Sequence, residues 1–320
     1  MYVIETQEIS RTFSRGRVKA LSGMSLNVKK GVIFGLLGPN GAGKTTFIKI
    51  LLSVLRAEKG VAKLFGLPVE NHLSRQSVGY LPENHRFPEF LTGGALIDYS
   101  ARLSGMENAA ERLQRAEILL NRVKMWQWRD TKIKKYSKGM IQRLGLAQAM
   151  MHEPKLLFLD EPTDGVDPIG RREIRDLLLE LKAGGATIFL NSHLLSEVEM
   201  ICDEVAILDK GRLLKHGTVD ELTVQKKRYM VQAKISDESL KSAITQKVES
   251  LSQENGYLDV TVENVTQLNS VIDLLRQSDV LIEAVTPFRQ TLEDSFVQTI
   301  QSEELTDFTS ILSKPQEGGE

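Results

Sequence analysis

Along the chain, short unbroken apolar runs alternate with longer segments of helical spacing. Val32-Ile33-Phe34-Gly35-Leu36-Leu37 is nearly continuous in apolar residues, rich in strand formers, and runs into a glycine-rich stretch. Such a run predicts a strand buried on both faces. From residue 45 to 55, Phe47, Ile48, Ile50, Leu51, Val54 and Leu55 recur at helical intervals, and the pattern stops before Glu58-Lys59-Gly60. That predicts a helix directly after the loop. Further apolar runs at 155–159, 187–190 and 204–208 are separated by helical segments at 171–182 and 195–201. The alternation predicts an α/β fold, a mostly parallel sheet covered by helices on both faces. Between residues 92 and about 129 the spacing is helical, through Leu96, Ile97, Leu103, Leu113, Ile118, Leu119 and Val123, and strand signals are sparse, which predicts a helical insertion.

Asp209-Lys210-Gly211-Arg212 suits a hairpin turn, and past residue 222 the composition changes. Residues 229–235 and 257–262 alternate, 238–250 and 265–276 are helical, and 280–285 is a third strand candidate. This predicts a small α+β unit of the split βαβ kind. Thr291 and Asp294 are placed as a capping box for a last helix carrying Phe296, Val297 and Ile300. The expected organisation is a main domain at 1–225 with a helical subdomain at 84–145, an accessory domain at 226–302, and a polar, disordered tail at 303–320.

Composition narrows the partners. Lys and Arg total 41 against 42 Asp and Glu, a net charge of -1, so no global field favours nucleic acid or anionic lipid, and nucleic acid is not an expected partner. Cys202 is the single cysteine; it excludes an intramolecular disulfide, fits a reducing compartment and reads as a small buried residue. Residues 1–10 lack the basic and apolar regions of a signal peptide. The apolar stretches fall short of the roughly 20 residues that cross a bilayer, so work at a membrane would need a partner.

Gly38-Pro39-Asn40-Gly41-Ala42-Gly43-Lys44-Thr45 fits the pattern G-x-x-x-x-G-K-[ST]. Its glycines let successive N–H groups point at phosphates, and the following helix adds its positive end. Lys44 supplies a point charge, and the Thr45 hydroxyl is suited to ligate Mg²⁺. By itself the loop indicates only a nucleoside triphosphate; the plainer reading is a glycine turn between strand and helix. Leu156-Leu157-Phe158-Leu159-Asp160-Glu161 is an apolar strand ending in two carboxylates. Strand ends of a parallel sheet open into the ligand crevice. Asp160 suits Mg²⁺ binding through its water shell, and Glu161 suits activation of a water. Otherwise these acids cap the next helix.

In order, these motifs resemble the ATP-binding cassette family, over residues 3–222. Tyr136-Ser137-Lys138-Gly139-Met140-Ile141-Gln142-Arg143 is similar to the family signature, usually written LSGGQ, with Lys138 and Met140 in place of Gly and Gln. Ser137 suits a helix cap facing an anion. Gly165-Val166-Asp167 resembles the D-loop, Asn191-Ser192-His193 the switch histidine that touches the γ-phosphate, and Phe13 the aromatic that stacks on adenine. Phe13 also reads as a core residue, and His193 as a structural one. Where the family has glutamine, Leu81-Pro82-Glu83 offers a glutamate that can still ligate Mg²⁺.

The resemblance implies an ATPase with a P-loop NTPase fold. ATP and Mg²⁺ would bind at Phe13, residues 38–46 including Thr46, Glu83 and Asp160 of one copy, and at Ser137, Gly139 and Asp167 of a second; Glu161 and His193 would be catalytic. The second ATP-binding subunit would be an identical or related chain, and the driven partner an integral membrane transporter subunit. The implied location is peripheral, at the cytoplasmic face of the cell membrane. Glu83, the altered signature and the C-terminal extension resemble the branch serving ABC-2 type exporters. A soluble ATPase of the same type, acting on ribosomes or DNA, and a non-hydrolysing regulatory subunit are the alternatives. The accessory domain reads as a cap on the dimer or as a regulatory module.

Overall fold

The structure, a computed structural model, describes residues 1–14, 16–235, 237–254 and 256–312. In chain order the first compact unit contains β1 (Tyr2–Phe13), β2 (Val18–Lys29), β3 (Ile33–Leu37), α1 (Lys44–Leu51), β4 (Lys59–Leu64), β5 (Leu67–Pro68) and β6 (Val78–Leu81). It continues through α2 (Gly93–Leu103), α3 (Ala109–Arg122), α4 (Lys138–Ala149), β7 (Leu156–Asp160), α5 (Pro168–Ala183), β8 (Thr187–Asn191), α6 (Leu195–Ile201), β9 (Glu204–Asp209) and β10 (Arg212–Thr218).

Six strands in the order β10-β9-β3-β8-β7-β6 form the main sheet. All neighbours are parallel except the hairpin of β9 and β10. Each residue of β3, β7 and β8 is buried, as continuous apolar runs require when both faces are covered. A second, antiparallel sheet, β2-β1-β4-β5, shares its core with the first. Ile4, Leu26 and Leu64 pack there with Phe34, Phe158, Phe189 and the α1 residues Phe47 and Ile48. Phe189 is central, with ring centroids 5.3 Å from Phe158, 5.4 Å from Phe34 and 6.3 Å from Phe47. Each such buried ring contributes about 1.5–3 kcal/mol relative to exposure. α1 is thereby bolted beneath the loop that precedes it.

The antiparallel sheet was not expected. β1 alternates in burial only over residues 4–7, and its register shifts between Thr6 and Ile9, where Glu8 adopts φ 53. A bulge of this kind moves later side chains to the other face and breaks the alternation that marks a strand.

The second compact unit spans Asp220–Gln298, and the connection to it carries α7 (Val219–Thr223). It holds β11 (Val224–Ala233), α8 (Glu238–Thr245), β12 (Ser250–Glu254), β13 (Tyr257–Thr261), α9 (Val265–Gln277), β14 (Ile282–Arg289) and the start of α10 (Leu292–Leu312). Its antiparallel sheet runs β12-β13-β11-β14, the split βαβ arrangement. Val231, Leu258 and Val260 pack on Ile244, Val271 and Leu275 of the helices. Thr291 and Asp294 form the expected capping box: the Thr291 N–H donates to Asp294 Oδ2 at 3.0 Å, and the Asp294 N–H donates to Thr291 Oγ1 at 3.1 Å. Two expectations need correction. The helical reading of 238–250 overran, since α8 stops at Thr245 and the polar Ser250–Glu254 is a sheet-edge strand. A disordered tail is expected from residue 303, whereas α10 continues to Leu312; residues 313–320 lie outside the described residues. Among the described residues, no helix is long and apolar enough to cross a membrane.

Candidate functional site

Strand β3 delivers the phosphate-loop residues to the carboxyl edge of the main sheet, and α1 departs from them. Gly41 and Gly43 have φ of +83 and +109, and a Cβ on Gly43 would collide with the Ala20 carbonyl. The loop thus needs glycine for both conformation and space. Lys44 Nζ donates to the Gly38 carbonyl at 2.6 Å and the Pro39 carbonyl at 3.1 Å, folding over the loop. Burial lowers its pKa, opposed by the charges of Glu161, Asp160 and Glu83.

The loop borders a cleft of about 780 Å³, large enough for a nucleotide. Phe13, Asn40, Gly41, Ala42, Gly43, Lys44, Thr45, Thr46, Glu83, Glu161 and His193 all line it. Predicted residues as far apart in sequence as Phe13 and His193 therefore line one cleft. Phe13 is half-buried at the end of β1, with the Arg11 guanidinium 5.1 Å from its ring centroid.

Asp160 and Glu161 end β7, and β8 pairs in parallel so that Asp160 lies opposite Asn191. Asn191 Nδ2 donates to Asp160 Oδ1. Asp160 Oδ2 and Asn191 Oδ1 are buried with no hydrogen-bond partner. An uncompensated acceptor pair at the foot of a phosphate loop is a fitting place for a hydrated cation, since buried acceptors otherwise cost free energy. Burial raises the Asp160 pKa; the hydrogen bond from Asn191 lowers it, Glu83 raises it, and Lys44 lowers it. Tyr80, on β6, is pushed up to about 12, first by burial and then by Asp160 and Glu83.

Glu161 is held in a left-handed conformation, φ 54. Its N–H donates to the Asn191 carbonyl at 2.8 Å, and its own carbonyl accepts from Gln142 Nε2 at 2.8 Å. Such a conformation persists only where its surroundings enforce it, and it clusters at functional sites. Glu161 Oε2 lies 2.8 Å from His193 Nδ1, whose side chain is 64% exposed against 11% for the glutamate. Burial raises the Glu161 pKa and the contact with His193 opposes the rise. The arrangement is a carboxylate of raised proton affinity, beside a lysine and facing a nucleotide-sized cleft.

Ser137, Gly139 and Asp167 do not line this cleft. Ser137 caps α4, accepting from the Met140 N–H at 3.2 Å, and Asp167 caps α5, accepting from the Gly170 N–H at 2.7 Å. Gly139 lies beside the Gly165 carbonyl. Val18, Ala20, Asp164 and Asn191 also line the cleft. Of these, only Asn191 stood in a motif, and its bond to Asp160 depends on a strand register that no local signal encodes.

Residues 21–164 match the family model described as ABC transporter. An uncharacterized ABC transporter ATP-binding protein of Synechocystis is 39% identical over 95% of this chain and 86% of its own length. A bacitracin transport ATP-binding protein of Enterococcus faecalis is 35% identical over 93% of this chain and 96% of its own. A solved ATP-binding subunit of an ABC transporter superposes with a TM-score of 0.63, at 29% identity, over 69% of this chain and 91% of that one. The phosphate loop, its carboxylates and these likenesses converge: the chain belongs to the ATP-binding proteins of the ABC transporter family and is an ATPase.

Proposed function

We propose that this ATPase drives export through a separate integral membrane subunit, working as a dimer that encloses two ATP molecules. The observation that carries the mechanism is the 2.8 Å pairing of Glu161 with His193 on the wall of the cleft that Lys44 enters. In this reading Phe13 stacks on adenine, the N–H groups of residues 40–46 and Lys44 hold the phosphates, and Thr45, Glu83 and Asp160 hold Mg²⁺ directly or through water. The metal supplies charge neutralisation of the phosphate oxygens. Glu161 accepts the proton of the attacking water, favoured by its raised proton affinity, and His193 orients that carboxylate and the γ-phosphate. Ser137, Gly139 and Asp167 serve the cleft of the second copy, since they lie outside their own.

Similarity to a bacitracin transport protein along nearly the whole chain, the C-terminal unit included, supports a transport role. The divergence at Lys138, Met140 and Glu83 supports the exporter branch. In this scheme the chain sits on the cytoplasmic face of the membrane, and the C-terminal domain stabilises the dimer. Affinity isolation of the tagged full chain from detergent-solubilised membranes tests the assignment. Stoichiometric recovery of an integral membrane protein that stimulates ATP hydrolysis is expected; recovery of ribosomes or DNA instead would overturn it.

A further inference from the structure

His85 lies two residues beyond the cleft-lining Glu83, just past the end of β6. Its Nδ1 is 3.0 Å from the Pro82 carbonyl, and its Nε2 is 3.2 Å from the carbonyl of Ile141, in the first turn of α4. A neutral imidazole has one N–H; carried on Nε2, it donates to the Ile141 carbonyl and joins the loop bearing Glu83 to the helix that begins at Ser137. A carbonyl inside a helix is normally shielded by the side chain one turn on. Here that residue is Gly145, where a Cβ would stand 2.8 Å from His85 Nε2 and 2.6 Å from Leu81 Cδ1. The missing side chain opens the Ile141 carbonyl to the ring. Phe87 supports the ring at 5.1 Å between centroids. At the other end of the same strand, His152 Nε2 lies 2.9 Å from the Val78 carbonyl, and Gly79 lets β6 press on the Ala149 carbonyl. β6 and the loop that follows it are thus held against α4 and the residues just beyond it.

We propose that His85 is the positioning residue that makes the Glu83 loop and the signature helix move together, so that nucleotide in this chain's cleft is felt at Ser137 and Gly139. The inference rests on the proposed nucleotide site at Glu83. Coupling of two sites requires a physical element that both bias; this contact is that element.

Hydrogen exchange with and without Mg-ATP tests it in the full chain carrying Glu161→Gln, which removes turnover, at a protein concentration where light scattering shows a single copy, so that a second copy's nucleotide does not protect α4. Nucleotide is expected to slow amide exchange both around residue 83 and in the first turns of α4. Adding His85→Phe keeps the ring's bulk and removes its nitrogens. The expectation is ATP affinity within about threefold of the parent and loss of the α4 response, with the response at residue 83 retained. Gly145→Ala, which displaces the ring without altering it, should give the same loss, and His85→Gln, which restores a donor, should recover part of the response. An undiminished α4 response in either folded disruptive variant overturns the inference. No exchange response at residue 83 in a parent that binds ATP would overturn the Glu83 site on which it rests. No ATP binding at all would remove the nucleotide site and the inference together.

Discussion

Two faces of the main unit carry motif residues, a complete phosphate loop on one and a partly matching signature on the other, in opposite surroundings. On the cleft face Lys44, Glu161 and His193 converge, with Asp160 buried behind them. On the signature face Ser137 and Asp167 turn inward only far enough to cap α4 and α5. A complete site needs donors on all sides of the transferring phosphate; in the proposed dimer one copy would supply the cleft face and the other the signature face. The difference between the two faces is largest at Glu161. Glu161→Gln should lower phosphate release by at least about 100-fold while nucleotide binding persists, since loss of a positioned base costs on that order. Near wild-type turnover would take the central role away from the cleft face.

A smaller loss, shown by mixing, addresses the signature face. Ser137→Ala removes the cap oxygen that accepts the Met140 N–H and is expected to reduce hydrolysis by about tenfold, the cost of roughly 1.4 kcal/mol. Nucleotide affinity of the isolated chain should not change. Lys44→Ala should be inactive by itself because the cleft loses its cation. Mixed dimers of the two variants contain one cleft with Lys44 facing one signature with Ser137, so activity should return above that of either alone. Absence of recovery would mean that the two faces act within a single copy.

What could be read before the structure follows the same division. β3 and β7 are buried on both faces, so their apolar runs stand out in any window, and the loop and carboxylates at their ends are located by them. Gly43 is legible because its φ and the nearby Ala20 carbonyl allow no other residue. By contrast, β1 and β2 carry alternating polar residues interrupted by bulges, and Ser250–Glu254 is polar at a sheet edge; neither leaves an apolar run. Asn191, Tyr80 and His85 act through partners brought close by strand order or helix packing. Such contacts between distant segments leave no periodic trace. The motif residue Gln142 is buried and donates to the Glu161 carbonyl, so part of the signature shapes its own copy's cleft, which linear matching does not reveal.

Within the cleft face, the buried carboxylates oppose the fold that holds them. The Asp160 pKa is raised, with burial the leading cause. For an acid so shifted, the associated stability is complete below the ordinary carboxylate range near pH 4. It is lost as pH rises through the folded value, because the buried group must ionise. At pH 7.5 the nucleotide-free Asp160→Asn variant should therefore melt about 2–4 °C higher than the parent. The new amide can also donate to the unpartnered Asn191 Oδ1. The difference should shrink as pH falls toward 4. A lower melting temperature at pH 7.5 would show that the carboxylate stabilises the empty site, and would weaken the case for a cation there.

The smallest expected effect lies where the two faces are joined. Glu83 is exposed at the cleft and adds its charge to that of Asp160, which is part of why the latter's pKa is raised. Glutamine would keep a carbonyl oxygen for the metal or its water and remove one unit charge, whose influence across solvent is about 1 kcal/mol or less. Glu83→Gln should therefore keep kcat within about threefold and raise the Mg²⁺ concentration for half-maximal activity by about two- to fivefold. Titrating Mg²⁺ at saturating ATP separates these effects. A fall in kcat of two orders of magnitude with unchanged Mg²⁺ dependence would make Glu83 a proton-transfer group, leaving the link through His85 between an acid on the cleft face and the signature helix.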